Sequence, residues 1–174
     1  MPRNVEIKAK IDKIESFAQQ ISIFATSGPF KLFQHDTFFN CPHGNLKLRS
    51  FSESEGELIF YKRPLSNTPK LSVYQISPTY QPETLRTILT AAYGVLGSVR
   101  KQRFLYMIEN TRIHLDRVEG LGDFLEIEVV LDDLQSESYG ESIAIELMAK
   151  IGLSNAQLLP ASYLEMLQNP NRYI

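Results

Sequence analysis

The feature that most constrains the fold is a charged residue at every second position in several short segments of the chain. In residues 4–11 a polar face with Glu6, Lys8 and Lys10 alternates with an apolar face. Successive side chains of a β-strand point to opposite sides of the sheet, so this alternation predicts a strand with one buried face. Four later segments repeat the pattern, with Lys47 and Arg49, Lys101 and Arg103, Arg112, His114 and Asp116, and Glu126 and Glu128. Five predicted strands therefore each carry a charged stripe along one face.

The other segments predict an antiparallel α+β domain rather than a parallel sheet. Asp12, with Glu15 three residues later, has the pattern of a helix capping box, and apolar residues then recur at helical spacing to about Gly28. Further strands are predicted at 35–40, 46–51, 57–63, 71–77, 98–109, 111–118 and 124–131, and further helices at 82–94, 137–151 and 161–168. No linker divides the chain, so we expect one domain over residues 1–174.

Composition and charge exclude several classes of protein. The chain has 18 basic and 20 acidic residues and a formal net charge of −2. The net charge therefore does not favour binding to a nucleic acid polymer or to a membrane. The single cysteine, Cys41, excludes an intramolecular disulfide and suits a reducing compartment. A charged N-terminus and the lack of a long apolar run argue against a secretory signal and a membrane span. We therefore expect a cytoplasmic protein, either a monomer or a homodimer.

The charged stripes have two interpretations. Each stripe alone is typical of the solvated outer face of an antiparallel sheet. Repetition over five strands favours a closed sheet with the charged side inward, which is costly unless a polyanion and metal ions bind there. A triphosphate needs several Lys and Arg donors along its length. Mg²⁺ and Mn²⁺ prefer oxygen ligands, which the carboxylates can supply: Glu6, Asp116, Glu126 and Glu128.

Several of these segments resemble one known family. The stretch Asn4-Val-Glu-Ile-Lys-Ala-Lys10 is similar to the ExExK signature in the first strand of the CYTH superfamily, and residues 46–49, 99–103 and 111–128 resemble its later strands. The run from Gly120 to Glu128 is most similar to the branch of class IV adenylyl cyclases. The resemblance implies an antiparallel sheet closed into an eight-stranded tunnel with flanking helices. Such a tunnel would hold a triphosphate compound and a divalent metal, Mg²⁺ or Mn²⁺.

The resemblance also implies roles for individual residues. It places metal ligands at Glu6, Glu126 and Glu128, which together with Lys8 form the expected catalytic set, and Asp116 is a further candidate ligand. The expected phosphate contacts are Lys8, Lys10, Lys47, Arg49, Lys101, Arg103 and Arg112, with Arg63 or its neighbour Lys62 at one more basic position. His114 is interpreted as a hydrogen-bonding wall residue rather than as a general acid or base.

Three residues depart from the family pattern. Asn4 stands where the signature has its first glutamate, Val73 stands where the family often has an acidic residue, and Asn45 replaces an expected basic residue. Fewer carboxylates leave less charge to hold a second metal ion. Slow, altered or absent catalysis therefore stays open for this chain.

Three functions are compatible with these residues. The first is adenylyl cyclase activity, in which ATP gives cyclic AMP and pyrophosphate. The second is hydrolysis of thiamine triphosphate, inorganic triphosphate or a nucleoside triphosphate. The third is binding of triphosphate or polyphosphate without catalysis. No motif in the sequence can be tied to adenine, so the residues themselves do not separate the three.

Overall fold

The structure is a computed structural model that describes residues 3–62 and 70–173. Eight antiparallel strands pair in the cyclic order β1-β5-β4-β3-β2-β6-β7-β8 and close into a barrel, called here the tunnel. The strands are β1 (Arg3–Lys10), β2 (Ser27–Phe39), β3 (Asn45–Ser50), β4 (Gly56–Lys62), β5 (Lys70–Thr79), β6 (Val95–Ile108), β7 (Thr111–Val118) and β8 (Gly122–Leu131). The predicted α+β fold, with an antiparallel sheet closed into a tunnel and flanking helices, is confirmed.

Within the described residues, five α-helices flank the wall of strands. They are α1 (Ile14–Ser22), α2 (Pro82–Tyr93), α3 (Glu137–Ile151), α4 (Tyr163–Gln168) and α5 (Pro170–Tyr173). Helices α1 and α3 cover β1, β7 and β8, and α2 covers β2 and β3. Among the residues that the structure describes, no helix is both long and apolar enough to cross a membrane.

The packing of the helices decides which face of each strand points inward. The apolar faces of β1, β7 and β8 are fully buried, with Val5, Ile113, Ile127 and Val129 all at 0% exposure, and they form one core with apolar residues of α1 and α3. Side chains alternate along a strand, so covering this face from outside turns the charged stripes toward the tunnel. The interpretation of the stripes as an inward face is therefore the right one.

The start of α1 differs from the predicted capping box. The N-cap is Lys13, which makes no side-chain hydrogen bond to the helix, and the Ile14 N–H donates to Oδ2 of Asp123 over 3.0 Å. A carboxylate from the start of β8 therefore caps the helix in place of Asp12. Strand β2 also begins at Ser27, so it is eight residues longer at its start than the predicted strand at 35–40.

Candidate functional site

The tunnel encloses a cavity of about 410 Å³ whose wall is rich in charged groups. Cations reach it from β1, β3, β6 and β7: Lys8, Lys47, Arg49, Lys101, Arg103 and Arg112. Carboxylates reach it from β1, β2, β4 and β8: Glu6, Asp36, Glu57, Glu126 and Glu128. Side chains as far apart in the sequence as Glu6 and Glu128 therefore meet around one space.

The carboxylates of β1 and β8 lie side by side because of the register of these strands. Glu6 is paired with Glu128 and Lys8 with Glu126. Lys8 Nζ lies 3.2 Å from Glu126 Oε1, and Arg103 Nη2 donates to Glu126 Oε2 over 2.7 Å. Burial favours the neutral acid, but the charges of Lys8 and Arg103 outweigh it and hold the pKa of Glu126 well below its usual range. Glu126 is therefore ionised and already neutralised by its neighbours.

Two buried aspartates each hold one arginine by the same edge of its guanidinium group. Arg103 donates from Nε and Nη2 to the two carboxylate oxygens of Asp116, over 2.7 and 2.6 Å. Arg49 donates from Nε and Nη2 to Asp36 over 2.8 Å in both bonds. Each aspartate is the cross-strand neighbour of its arginine. This bidentate contact fixes the fork and leaves Nη1 of each arginine available to a ligand.

The two lysines beside these arginines titrate near neutrality. Burial, followed by the charge of a neighbouring arginine, lowers the pKa of Lys47 to about 8 and that of Lys101 to about 7. Asp36 stabilises the ammonium of Lys47 at 3.0 Å, whereas Lys101 lies 3.5 Å from Asp116, which Arg103 already occupies. An anionic ligand would restore full charge on both lysines.

His114 lies in the wall between two carboxylates. Its Nδ1 is 3.4 Å from Glu126 Oε2 and its Nε2 is 3.7 Å from Glu128 Oε2. Burial first, and then the charge of Arg103, lowers the pKa of His114 below its usual value. A neutral imidazole has a single N–H, which can donate to Glu126, and this geometry suits a hydrogen-bonding wall residue.

Two amides present oxygen atoms that have no partner among the described residues. Asn4 donates from Nδ2 to Glu128 Oε1, which can only accept, so the carbonyl oxygen of Asn4 must face the other way. The carbonyl oxygen of Gln34 is also buried and unpaired. A buried oxygen of this kind costs free energy unless a ligand, a metal ion or water meets it.

The wall formed by β4 and β5, which adjoins β1, is mainly apolar and aromatic. Ile59 and Tyr61 of β4 and Tyr74 and Ile76 of β5 line the cavity on this side. Apolar lining with a few polar groups is typical of sites that bind organic molecules. The cavity therefore combines a charged half with a surface suited to an organic substituent.

Comparison with known proteins gives the family. A sequence model described as the CYTH domain matches residues 2–163. The chain belongs to the CYTH domain family. It is 27% identical over 169 residues to a protein of Methanocaldococcus jannaschii that is named a putative adenylate cyclase, an alignment that covers 93% of this chain and 97% of that protein.

Solved structures agree with this assignment of the CYTH fold. A protein from Pyrococcus horikoshii superposes with a TM-score of 0.83 at 23% identity, over 93% of this chain and 98% of that one. A protein from Hippeastrum, described as a putative adenylyl cyclase with a dominant triphosphatase activity, superposes with a TM-score of 0.66 at 15% identity, over 98% and 96% of the two chains. At these identities the likeness concerns the fold alone.

Most of the residues predicted from the CYTH signature lie in the cavity, but Lys10 and Asp116 do not. Lys10 donates to the carbonyl oxygen of Leu121 and lies over the ring of Phe124. Asp116 is completely buried behind the wall, where it accepts from Arg103 and from the hydroxyl of Tyr163. Its position suits support of Arg103 better than direct contact with a metal ion.

Three predicted positions remain, namely Lys62, Arg63 and Val73. Lys62 is exposed and does not line the cavity, and Arg63 lies outside the described residues. Val73 was expected to replace an acidic residue of the CYTH tunnel, but Ser72 and Tyr74 face the cavity, so Val73 points away from it. The lack of a carboxylate at Val73 therefore removes no charge from the tunnel.

The residues of the CYTH tunnel that sequence reasoning missed include Asp36, Gln34, Glu57 and Tyr163. Gln34, Asp36 and Phe38 are spaced by two along β2, so their side chains point to the same side of the strand. This spacing can be read from the sequence. Tyr163 begins α4 at one end of the tunnel, and only the tertiary structure brings it there.

The oxygen donors of this CYTH site suit a divalent metal ion. Within the described ranges no three His, Cys, Asp or Glu side chains are gathered into a preformed metal site. Instead Glu126 and Glu128 contact Lys8, Arg103 and Arg112. Mg²⁺ is usually held by one or two carboxylates together with phosphate oxygens and water. The site therefore fits a metal ion that is shared with a phosphate chain.

Proposed function

We propose that this CYTH protein binds a triphosphate compound inside the tunnel and breaks one of its phosphoanhydride bonds, with adenylyl cyclase activity as the first candidate. The observation that carries the proposal is the convergence of six cations and five carboxylates on one cavity. Paired cations on β3 and β6 suit successive phosphates, and the carboxylates on β1 and β8 suit a metal ion.

The basic residues would bind and orient the phosphate chain. Arg49 and Arg103 are held by their aspartates and would donate from Nη1 to phosphate oxygens. Lys47 and Lys101 would neutralise the negative charge of the phosphates beside them. In phosphoryl transfer, positioning and charge neutralisation supply most of the catalysis. Lys8 would move its contact from Glu126 toward phosphate when Glu126 binds a metal ion.

The acidic residues would hold the metal ion. Glu6, Glu126 and Glu128 are the proposed ligands, with the carbonyl oxygen of Asn4 beside them. When bound, Mg²⁺ or Mn²⁺ neutralises developing negative charge on the phosphate oxygens. Lys10 and Asp116 would stabilise the wall rather than contact the ligand or the metal ion, because neither side chain lines the cavity.

Cyclase activity is the first candidate because the cavity has an apolar wall as well as charge. In this reaction the ribose 3′ hydroxyl of ATP attacks the α-phosphorus, the bond to the β-phosphate oxygen breaks, and pyrophosphate leaves. The nucleoside needs a surface that the triphosphate does not use, which Ile59, Tyr74 and Ile76 can supply. The name of the relative from Methanocaldococcus supports the same candidate.

Hydrolysis of a triphosphate is the second candidate. Water would attack the terminal phosphorus, the bond from this phosphorus to the bridging oxygen would break with the diphosphate part as leaving group, and orthophosphate would form. The triphosphatase activity described for the Hippeastrum protein, which shares the fold, favours this alternative. The substrate would be thiamine triphosphate, a nucleoside triphosphate or tripolyphosphate. A third alternative, binding without catalysis, follows from Asn4 in place of a carboxylate.

Product analysis separates these candidates. The protein is incubated with ATP, thiamine triphosphate or tripolyphosphate in the presence of Mg²⁺ or Mn²⁺. Cyclic AMP and pyrophosphate identify a cyclase, and orthophosphate identifies a hydrolase. Calorimetric binding of tripolyphosphate without either product identifies a binding module. If tripolyphosphate neither binds nor reacts, the proposed function is wrong.

A matched pair of variants locates the reaction in the tunnel. Glu128→Gln keeps the size of a proposed metal ligand but removes its charge, and it should lower the rate by about 100-fold or more at limiting metal. Glu146→Gln makes the same change on the exposed side of α3 and should leave the rate unchanged. Equal rates in the two variants would place the metal elsewhere.

A further inference from the structure

The two ends of the tunnel differ in their access to solvent. Toward the end of β5 and the start of β7, Ile76 is 46% exposed and the side chain of Arg112 is 39% exposed. At the opposite end Lys8 and Lys101 are each 8% exposed and Tyr163 is 6% exposed. In the part of the chain that the structure describes, the cavity is open at the first end and has a floor at the second.

The floor is made by the C-terminal segment of the chain. The N–H of Leu159 donates to the carbonyl oxygen of Lys8 over 2.9 Å, and Lys8 Nζ donates to the carbonyl oxygen of Ala161 over 3.3 Å. Ser162 and Glu165 form a capping box that fixes the start of α4. The ring of Tyr163 then packs in a buried apolar cluster with residues from the strand ends, Phe38, Val99, Val118 and Phe124.

The floor presents two cations above an aromatic ring. Lys8 Nζ lies 4.0 Å and Lys101 Nζ 4.9 Å from the ring centroid of Tyr163. The hydroxyl of Tyr163 donates to Asp116 Oδ2 over 2.9 Å, so the ring is held in place from behind the wall. A ligand that reaches this end therefore meets two ammonium groups and cannot pass beyond the ring.

We propose that a polyphosphate chain binds end-on, with an unsubstituted terminal phosphoryl group on the floor against Lys8 and Lys101. This inference rests on the triphosphate binding proposed above. A terminal phosphoryl group has three free oxygens and close to two negative charges, whereas an esterified one has two free oxygens and a single charge. The ester group would also need the space that Tyr163 occupies.

End-on binding restricts the class of substrates. Any organic substituent must be at the other end of the polyphosphate, toward the opening of the tunnel that Phe51 and Ile76 line. ATP, thiamine triphosphate and tripolyphosphate each have a free terminal phosphoryl group and meet this condition. A dinucleoside polyphosphate, which is esterified at both ends, does not.

Competition binding tests the inference with ligands that have or lack a free terminal phosphoryl group. Tripolyphosphate, ATP, the methyl ester of ATP on its γ-phosphate and diadenosine tetraphosphate are compared on the full chain with Mn²⁺. The two ligands without a free end should bind on the order of 100-fold more weakly than ATP, as expected for the loss of charge-assisted hydrogen bonds. Equal affinity of ATP and its methyl ester would overturn end-on binding.

Variants of the floor give a second measurement. Tyr163→Ala removes the ring and should reduce the discrimination between ATP and its methyl ester by about tenfold, whereas Tyr163→Phe keeps the ring and should retain it. Retained discrimination in a folded Tyr163→Ala variant would mean that the ring does not exclude the ester. If tripolyphosphate itself fails to bind, both the proposed function and this inference fail. If only the methyl ester binds as well as ATP, this inference alone fails.

Discussion

At the scale of single residues, burial decides the charge of the tunnel before any ligand binds. Lys47 has a pKa lowered to about 8, although its ammonium lies 3.0 Å from Asp36. The cost of removing the ammonium from water and the repulsion of Arg49 outweigh the attraction of that one carboxylate. A polyanion that contacts Lys47 favours its protonated form, so binding and protonation are coupled.

This coupling predicts the pH dependence of binding. Below a pH of about 8 Lys47 is already charged in the free protein, so its titration does not change the affinity for tripolyphosphate there. Above that pH the lysine must gain a proton when tripolyphosphate binds, and affinity should fall by at most about tenfold for each pH unit. In the Lys47→Arg variant the arginine stays charged over this pH range. The affinity of the variant for tripolyphosphate should therefore fall less steeply with rising pH.

Calorimetric titration with tripolyphosphate between pH 7 and pH 9, without metal, measures the difference. The ionisation of the ligand is the same for both proteins, and it cancels when the wild type is compared with Lys47→Arg. Parallel curves for the two proteins would show that Lys47 does not titrate on binding.

Asn4 determines how the carboxylate end of the tunnel behaves without metal. Its amide donates to Glu128, so Asn4→Glu replaces a donor with a second negative charge. We expect this variant to be less stable than the wild type by about 1–3 kcal/mol without metal, and to gain more stability when Mn²⁺ is added. Asn4→Gln has the same size as the glutamate variant but no charge, which makes it the matched control.

Thermal unfolding with and without Mn²⁺ measures this effect. The rise in melting temperature on addition of Mn²⁺ should be largest for Asn4→Glu. The same rise in the Asn4→Gln variant would mean that a carboxylate at this position does not bind the metal.

At the scale of secondary structure elements, the inward face of the strands could be predicted from sequence, whereas some element ends could not. The alternation in β1 assigns Val5 and Ile7 to one face, and α1 and α3 cover that face. The N-terminus of α1 depends on Asp123, which is 109 positions from Ile14. A local capping pattern at Asp12 carries no information about such a distant partner, so the prediction was wrong there.

The contact of α3 with β1 also depends on one small residue. A Cβ added to Gly140 would lie 2.7 Å from Val5 Cγ2 and 3.0 Å from Leu131 Cδ2. Gly140→Ala should therefore destabilise the protein by about 1–3 kcal/mol through overpacking, even though alanine favours the helix by up to about 1 kcal/mol. Urea unfolding measures the change. An increase in stability would mean that α3 moves away from β1 at little cost.

At the scale of the whole molecule, closure of the sheet brings together groups that no local pattern connects. Tyr163 and Asp116 are 47 positions apart, and their hydrogen bond exists only because the C-terminal segment forms the floor of the tunnel. Asp36 faces Arg49 through the pairing of β2 with β3. The sequence therefore predicts which strands carry charged side chains. The ion-pair and hydrogen-bond partners of these side chains follow from the strand order and the closure of the sheet.

The same closure makes the empty tunnel nearly neutral, and this predicts cooperative binding of anion and metal. Among the described residues six cations line the cavity with five carboxylates, and Asp116 lies just behind them. A triphosphate alone adds about four negative charges to this balanced set, and a divalent metal alone adds two positive ones. Each ligand should therefore raise the affinity for the other, as coupling between two sites requires.

Thermal unfolding tests the coupling. At a hundredfold excess over its dissociation constant a ligand adds about 2.7 kcal/mol of stability, which raises the melting temperature by roughly 5–10 °C for a chain of this size. Tripolyphosphate with Mn²⁺ should raise it by more than the sum of the two separate shifts, and Glu128→Gln should lose this excess while Glu146→Gln keeps it. Additive shifts in the wild type would show that the carboxylates of β1 and β8 hold no metal beside the phosphate chain, since only a shared site removes the charge imbalance that each ligand creates alone.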